Sequence, residues 1–411
     1  MLGRVVIENY RSCLRTSLDL HPNLSVLIGP NGSGKTNILQ AIMFLKRMAQ
    51  QDPWETRSSE TLTVNSRLKA TFQQKETRLQ LSASFKVIAG KSNNDTMHAS
   101  RQKWNCTQGK KRAAFEFPLA FASEIGAREM GNRYRLMFGS GRPRYELLKI
   151  VEGAPDWVFG PLGAVAAYCN GLKYYGASQF TNPGSCPASF HIEQEGHRRS
   201  AIHHHGHARI IYDMYSASRS DSNGRYAQFI DIVGPRGLRL VDALTFREVK
   251  TSSVDYTVRV GGKVETRKRH KLLVIPQFRI GKQKLSPNQL SEGTFKTLAL
   301  LFHVITENGT ALLVEEPEVC VHHGLLSSII ELIKSYSTHK QMILSTHSDY
   351  VLDHVKPENV YRVTFDRSVG TLARPIRKTM TAREYVALRE YLDQEGNLGE
   401  YWREGGLGDR P

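Results

Sequence analysis

Short apolar runs of strand length open the chain. Residues 4–9 (RVVIEN) and 24–28 (LSVLI) each have the length of a β-strand, and the second leads directly into a glycine-rich stretch. After that stretch, apolar residues recur at helical spacing. These positions are Ile38, Leu39, Ile42, Met43 and Leu45. Strand, glycine-rich turn and helix in this order predict the start of an α/β core.

The following segment changes from a helical period to a strand period. Between about 60 and 90, apolar and polar residues alternate, which predicts an antiparallel sheet beside the core. The alternating apolar positions are Leu79, Leu81, Ala83, Phe85 and Val87. Residues 91–145 are polar and basic without a strong period, so the sequence predicts loops and short helices there.

Regular patterns return in the second half of the chain. The predicted elements are a helix near 207–217, strands near 254–260, 271–280, 311–314 and 341–345, and a helix at 324–335. The predicted fold class is α/β with a mixed sheet, an antiparallel β subdomain and a basic α+β insertion. The predicted parts are an N-terminal lobe (1–90), the basic insertion (91–284), a second core lobe (285–350) and a C-terminal tail packing on the core or a partner (351–411).

Composition adds a strong charge bias. Among 411 residues, Lys and Arg exceed Asp and Glu by 17, which favours a polyanionic partner such as nucleic acid; solubility or an acidic protein partner is the alternative. The sequence has neither an apolar stretch long enough for a bilayer nor a signal-peptide core, so we expect a cytoplasmic protein without membrane contact. The five cysteines are scattered, which favours free thiols over a zinc site.

The glycine-rich stretch carries the clearest chemistry. Residues 29–36 read G-x-x-x-x-G-K-T, which between a strand and a helix is the pattern of a P-loop. Its glycines let backbone amides surround a β-phosphate, Lys35 reaches the β- and γ-phosphates, and Thr36 holds Mg²⁺. A glycine-rich turn without a ligand is the weaker interpretation.

Two later strands end in polar residues that suit the same chemistry. The apolar run 311–314 ends in Glu315 and Glu316, which predicts a metal-holding acid followed by a general base, although two solvated acids are the alternative. The apolar run 341–345 precedes His347, at the spacing of a γ-phosphate sensor. A third polar stretch contains Ser291 and Gly293 at a helix start, where a serine can cap the helix or help to hold a phosphate.

These motifs together resemble those of the ABC ATPases, and among them the SMC/RecF-like branch. IENYRS at 7–12 resembles the opening strand of that branch, and Asn37 is typical of it. LSEGT at 290–294 resembles the ABC signature, VEEPE at 314–318 resembles a Walker B motif, and STHS at 345–348 resembles a switch-histidine motif. The resemblance implies an ABC-type P-loop NTPase head.

The resemblance also implies a set of site residues and two cofactors, ATP and Mg²⁺. It assigns ATP binding to Asn31, Gly32, Ser33, Gly34, Lys35, Thr36, Asn37 and Gln179, a signature acting in trans to Ser291, Glu292 and Gly293, catalysis to Glu316 and His347, and metal binding to Thr36, Gln179 and Glu315. Gln179 is the candidate for the Q-loop glutamine, with Gln73 and Gln74 as alternatives. The family arrangement is a head-to-tail homodimer, or a higher oligomer, in which the signature of one copy faces the nucleotide of the other.

Two departures from the family pattern narrow the resemblance. Glu292 stands where transporters have glycine, which is common in the defence-associated, OLD-like ATPases. Glu315 stands where most members have aspartate, so slow or gated hydrolysis is expected. Only 64 residues follow His347, without the acidic pattern of a Toprim nuclease. We therefore expect an OLD-like ATPase without that domain.

Three functions are compatible with these features. The leading hypothesis is an ATPase subunit of an anti-phage system that binds or senses nucleic acid and acts through a separate effector, a nuclease or toxin. The alternatives are a RecF-like DNA repair clamp and an ABC transporter motor, the last disfavoured by Glu292 and the basic charge.

The cluster from His203 to His207 is interpreted as a basic loop rather than a metal site, and the basic runs 110–112 and 267–271 are either solvated strand edges or phosphate contacts.

Overall fold

The structure of the chain is a computed structural model. It describes residues 1–50, 66–88, 96–116, 119, 155–193, 206–258, 264–307, 309–319, 321, 323–394 and 396–406. The chain divides into two compact units. The first comprises Met1–Tyr174, Asn308–Pro317 and Ile330–Pro411, and the second comprises Tyr175–Glu307 and Glu318–Ile329.

An antiparallel sheet forms one layer of the first unit. Its strands are β1 (Leu2–Tyr10), β2 (Cys13–Asp19), β4 (Arg67–Gln74), β5 (Thr77–Ile88), β6 (Thr96–Gln108) and β7 (Lys111–Glu116), in the spatial order β2-β1-β4-β5-β6-β7. The alternation predicted around residues 79–87 is present, and Leu79, Leu81 and Ala83 are buried. An antiparallel sheet with one covered face requires this period of two.

The prediction for residues 91–145 is wrong over 96–116, where β6 and β7 replace the expected loops and short helices. The signal was a short alternation: Gln102, Trp104 and Cys106 are buried in succession on one face. The lysines between and after these positions hid the strand period, because they leave few apolar residues from which an alternation can be recognised. The rest of that predicted segment lies outside the described residues.

A second, mixed sheet carries the glycine-rich turn. Its strands are β3 (Leu24–Ile28), β8 (Leu172–Gly176), β13 (Ala311–Glu315), β14 (Gln341–Thr346), β15 (Val360–Asp366) and β16 (Gly370–Pro375), in the order β16-β15-β3-β14-β13-β8. β13, β14, β3 and β15 run parallel, and β16 is antiparallel to β15. Every residue of β3, β13 and β14 is buried, which explains why these strands read as continuous apolar runs.

The register of the parallel strands sets the position of the site. Thr346 lies opposite Ile28, and Ser345 lies opposite Glu315. Because parallel strands end at the same edge, the segments that follow β3, β13 and β14 emerge side by side.

Helices cover this core in the first unit. They are α1 (Lys35–Gln50), α2 (Phe159–Asn170), α7 (Asp349–Leu352), α8 (Ile376–Thr379), α9 (Ala382–Asp393) and α10 (Leu398–Arg403); α6 (His323–Tyr336) begins in the second unit and ends in the first. The apolar face predicted for α1 is confirmed at Ile38, Leu39, Ile42 and Leu45, which are all fully buried in one core with the antiparallel sheet.

The second unit contains a smaller sheet and three further helices. The strands are β9 (Phe190–Glu193), β10 (Ala243–Val258), β11 (Val264–Ile280) and β12 (Gln283–Leu285), and the helices are α3 (Gly206–Arg219), α4 (Arg225–Val233) and α5 (Glu292–Thr306). The strand expected near 254–260 starts eleven residues earlier, at Ala243. Within the residues described, no helix is long and apolar enough to cross a membrane.

Candidate functional site

The glycine-rich turn between β3 and α1 needs glycine at specific positions. Gly32 and Gly34 have φ angles of +79° and +99°, in the region that side chains disfavour. A Cβ atom on Gly34 would also lie 2.1 Å from Oγ1 of Thr371. The turn is therefore fixed by both backbone conformation and space, and it presents the first amides of α1 as an anion site.

Lys35 is folded into this turn. Its side chain is buried, and Nζ donates hydrogen bonds to the carbonyl oxygens of Gly29 at 2.7 Å and Pro30 at 3.0 Å. These two bonds hold the ammonium in the turn, where it can form charge-assisted hydrogen bonds with an arriving phosphate. The turn thus supplies the cation and the amides that a triphosphate requires.

Two hydroxyl residues outside the motif brace the turn. Oγ1 of Thr371, at the start of β16, lies 3.0 Å from the carbonyl oxygen of Ser33 and 2.8 Å from Oγ of Ser12. Nδ2 of Asn37 donates to the same Ser12 oxygen at 2.7 Å. Ser12 lies in the IENYRS motif, but no sequence pattern indicated that Thr371, from the predicted tail, belongs to the site. Arg11, next to Ser12, donates to Oε1 of Gln40.

Glu315 ends β13 at the same edge of the sheet. It is only 8% exposed, and both of its carboxylate oxygens have a hydroxyl partner. Thr36 donates to Oε1, and the phenol of Tyr174 in β8 donates to Oε2. Hydroxyl and carboxylate oxygens are the ligands that Mg²⁺ prefers, so Thr36 and Glu315 fit the predicted metal position.

Tyr174 was not predicted as a site residue. Burial raises the pKa of its phenol, and the hydrogen bond to Glu315 and the charges of Glu315 and Glu316 raise it further. The phenol therefore stays protonated at neutral pH and can only donate to the carboxylate. Because glutamate has one more rotatable bond than aspartate, this second hydrogen bond restricts a side chain that would otherwise be more mobile than the usual residue.

The next residue, Glu316, has an unusual backbone. Its φ angle is +49°, which is rare for a residue with a side chain, and its amide donates to the carbonyl oxygen of Ser345 at 2.9 Å. The left-handed conformation ends the strand and separates the second acid from the first. Strain of this kind costs on the order of 1–3 kcal/mol and is common at functional sites.

His347 lies beside Glu316. Its Nδ1 is 3.7 Å from Oε1 of Glu316, and the two side chains are 42% and 33% exposed. Unlike Glu315, both groups can therefore contact solvent or a ligand. The structure brings together the turn, the two acids and the histidine, which come from three segments of the chain.

The signature stretch forms the start of α5 in the second unit. Oγ of Ser291 accepts a hydrogen bond from the amide of Thr294 at 3.2 Å, so the serine does cap the helix. Ser291 itself is exposed. Glu292 forms an ion pair with Lys296 one turn later, with Nζ 2.6 Å from Oε1.

Lys296 is a third residue that no sequence pattern singled out. Only 2% of its side chain is exposed, whereas Glu292 is 40% exposed. A buried ammonium needs a partner, and Glu292 supplies one at the helix start. The glutamate that distinguishes this signature is thus tied to a buried lysine in the same helix.

Other predicted residues are not placed in the described site. Gln179 is exposed in a turn at Ala177–Phe180 of the second unit, and its assignment as the Q-loop glutamine stays a prediction. Gln73 and Gln74 end β4. His203 to His205 lie outside the described residues, while His207 is buried in α3.

If Thr36 and Glu315 hold Mg²⁺ beside bound ATP, as predicted, replacing Tyr174 by phenylalanine should weaken Mg²⁺ binding without removing ATP binding. Glu315 would lose one of two hydrogen bonds, and bonds to charged groups contribute about 1.5–3 kcal/mol, so we expect about a tenfold higher Mg²⁺ concentration at half-maximal hydrolysis. A Mg²⁺ titration of ATPase activity measures this. Tyr168→Phe is the matched control, because it removes a buried phenol that donates to Gln341 instead. Equal titration curves for the wild type and Tyr174→Phe would contradict the assigned role.

Comparison with known proteins gives two family matches. Residues 188–353 match the family described as "AAA domain, putative AbiEii toxin, Type IV TA system", and residues 1–125 match the family "AAA ATPase domain". Among curated proteins, the DNA replication and repair protein RecF of Psychromonas ingrahamii is 48% identical over 44 residues, and that of Actinobacillus pleuropneumoniae serotype 5b is 46% identical over 44 residues. Each match covers 11% of this chain and 12% of the relative's length.

Solved structures give broader but more distant matches. The SMC head domain from Thermotoga maritima is 12% identical with a TM-score of 0.42, covering 91% of this chain and 98% of that one. An SMC head bound to the C-terminal winged-helix domain of ScpA is 14% identical with a TM-score of 0.46, covering 92% and 98%.

The two family models match the segments that contain the P-loop, the signature, the acid pair and the histidine. This agrees with the family that the motifs predicted. Each match covers less than half of the chain, and the two together support an SMC/RecF-like ABC-type ATPase.

Proposed function

We propose that this protein binds and hydrolyses ATP, closes as a dimer around it, and thereby controls a separate effector in anti-phage defence. The observation that carries the proposal is the meeting of Thr36, Glu315, Glu316 and His347 at one edge of the mixed sheet. A buried acid beside a threonine and an accessible acid beside a histidine are the two carboxylates, in two environments, that metal-assisted hydrolysis needs.

In this proposal the P-loop holds the triphosphate. The amides from Asn31 to Asn37 surround the phosphates, and Lys35 exchanges its carbonyl partners for phosphate oxygens. Thr36 and Glu315 hold Mg²⁺, with Gln179 as a third candidate. The ion supplies charge neutralisation for the phosphates when it is bound.

Glu316 acts as the general base. It accepts a proton from a water molecule whose oxygen attacks the γ-phosphorus, while the bond from that phosphorus to the oxygen of ADP breaks and its electron pair leaves with ADP. His347 donates a hydrogen bond to the γ-phosphate and lies close enough to Glu316 to orient it. The strained backbone of Glu316 supports this role, because it moves the acid out of the strand.

The signature is proposed to act on the nucleotide of a second copy. Ser291 and Gly293 at the start of α5 then offer a hydroxyl and amides to the partner's γ-phosphate. Glu292 would repel that phosphate, so Lys296 neutralises it from within the helix.

This neutralisation can be tested by pairing two substitutions. Lys296→Met removes the ammonium that pairs with Glu292 and should weaken ATP-dependent dimerisation by about tenfold, whereas Lys296→Met with Glu292→Gln should recover most of the loss. Sedimentation in the presence of ATP measures both. If the double variant is as weak as Lys296→Met alone, Lys296 contributes packing and not charge.

Mixing two inactive variants tests the action in trans. Lys35→Ala removes the P-loop cation, and Ser291→Arg blocks the signature. In a mixture, half of the dimers combine the two chains and contain one intact composite site, so about a quarter of wild-type activity should return. No recovery, with both variants folded and a mixed dimer detected in ATP, would refute the composite site.

The defence role and the effector are supported by less direct observations. The description of one matched family names a putative toxin of a type IV TA system. Glu292 and Glu315, which differ from the usual residues of the family motifs, are compatible with a gated, OLD-like ATPase. The surplus of 17 positive charges supports a nucleic-acid ligand, and the proposed location is the cytoplasm. Copurification would identify the effector: a nuclease or toxin supports this proposal.

A RecF-like DNA clamp is the second candidate. It is favoured by the short identity to DNA replication and repair proteins RecF. Copurification of replication proteins, in place of a nuclease or toxin, would favour the RecF-like clamp.

A further inference from the structure

A long two-stranded hairpin leaves the sheet of the second unit. β10 and β11 pair without a register shift from Ala243↔Arg279 to Val258↔Val264. β9 reaches β11 only as far as Lys271, which lies opposite Glu193. In the described part of the chain, residues 252–258 and 264–270 therefore pair only with each other. We call residues 250–258 and 264–271 the ribbon.

The ribbon is basic. It contains five Lys or Arg residues and two acids, Asp255 and Glu265, in addition to His270. The basic positions are Lys250, Arg267, Lys268, Arg269 and Lys271. At neutral pH the Lys and Arg residues of the ribbon therefore exceed its two acids by three charges, without counting the histidine.

The register distributes these positions over both faces of the ribbon. Successive strand residues alternate between faces, and cross-strand partners share one. Arg267, Arg269 and Lys271 occupy one face by register. Lys268 and His270 occupy the other, together with Lys250, which lies opposite Leu272. A hairpin that covers a core with one face would carry its charge on the other face only.

Charge on both faces fits a ligand that surrounds the ribbon. The major groove of B-form DNA is about 12 Å wide, admits a two-stranded ribbon and has phosphates along both walls. The seven residue pairs beyond Lys271 extend about 23 Å, enough to follow a groove. The major groove of A-form RNA is too narrow and deep for such an element.

We propose that the ribbon binds double-stranded DNA by entering its major groove and contacting phosphates of both strands. This rests on the proposed nucleic-acid role and assigns to it a surface and a ligand class. The contacts are to the backbone, so binding is independent of base sequence and strongly dependent on salt.

A matched pair of triple variants tests the proposal. Arg267, Arg269 and Lys271 are changed to Gln in one full-length protein. The control has Lys110, Lys111 and Arg112 changed to Gln, which removes the same charge from exposed positions at the β6–β7 turn and the start of β7 in the first unit. Binding of a labelled duplex of about 30 base pairs is followed by fluorescence anisotropy, without nucleotide, between about 50 and about 200 mM salt.

The ribbon variant should bind at least about tenfold more weakly, and the slope of log affinity against log salt should fall by about three. The control should stay within about twofold of the wild type. A variant of the opposite face, Lys250→Gln with Lys268→Gln, should also lose affinity, because a groove has two walls. Double-stranded RNA and poly-glutamate should compete poorly.

Equal losses in the ribbon and control variants, or no wild-type DNA binding, would overturn the proposal. So would RNA duplex or poly-glutamate competing as well as DNA, since either result makes the ligand another polyanion. Circular dichroism and ATP hydrolysis report whether the variants are folded. ATP-dependent dimerisation, measured on the same samples, tests the proposed function separately: dimers without DNA binding refute only the ribbon, and DNA binding without dimers refutes only the ATP-driven closure.

Discussion

Replacing Glu316 by glutamine should lower the rate of ATP hydrolysis by about 10²- to 10⁴-fold while leaving ATP affinity nearly unchanged. The amide has the same size as the carboxylate but cannot accept the proton of the attacking water. Glu316 is 33% exposed and lies beside His347, so binding of the triphosphate by the P-loop should not depend on it. Phosphate release in steady state measures the rate, and a fluorescent ATP analogue measures affinity.

Glu331→Gln is the control for this substitution. It changes an acid of α6 that is 55% exposed and pairs with Lys334, and it should alter hydrolysis by no more than about twofold. The assignment of Glu316 as general base is wrong if its glutamine variant hydrolyses ATP at more than about a tenth of the wild-type rate.

The second large effect is expected from Lys35→Ala. The lysine provides charge-assisted hydrogen bonds worth about 1.5–3 kcal/mol each, so losing two of them should weaken ATP binding by about 100-fold or more. Hydrolysis should become undetectable for the same reason. Isothermal titration with ATP and Mg²⁺ gives the affinity directly.

Lys46→Ala offers a close control, because both lysines lie in α1 and donate to backbone carbonyls. Nζ of Lys46 bonds to the carbonyl oxygen of Leu172 at 2.8 Å, away from the glycine-rich turn. Its loss should lower the melting temperature but not ATP affinity. If Lys35→Ala binds ATP as tightly as the Lys46 variant does, the turn does not hold the triphosphate in the way proposed.

The parts of the site that could be predicted are local in sequence. A continuous apolar strand followed by G-x-x-x-x-G-K-T fixes its own geometry, because the glycines and the helix start are adjacent. Glu315, Glu316 and His347 could also be predicted, since each follows a buried strand and parallel strands end at one edge.

The parts that could not be predicted depend on contacts distant in sequence. Tyr174 bonds Glu315 across 141 residues, and Thr371 reaches Ser12 across 359 residues. Neither has a local pattern, because any hydroxyl at the correct register would serve. Lys296 is different: it lies one turn after Glu292 and could have been found from that spacing, but a lysine among apolar helix positions reads as a surface residue until its burial is known.

The strands of the fold also divide into those that could be predicted from the sequence and those that could not. The strands β3, β13 and β14 of the mixed sheet are buried throughout and were predicted as apolar runs, whereas β6 and β7 combine buried Trp104 and Cys106 with exposed basic residues. In such strands only every second residue is expected to be apolar, and a few polar residues at buried positions, such as Gln102, are enough to hide the alternation.

The most direct test of ATP-dependent closure is the mass of the Glu316→Gln protein in solution with and without ATP. Light scattering after size exclusion, with Mg²⁺ present, should give twice the chain mass of 46.4 kDa in ATP and the mass of one chain in ADP. Ser291→Arg added to this variant should prevent the change. A mass that is the same in ATP and ADP, or a dimer unaffected by Ser291→Arg, would contradict closure of two copies around ATP.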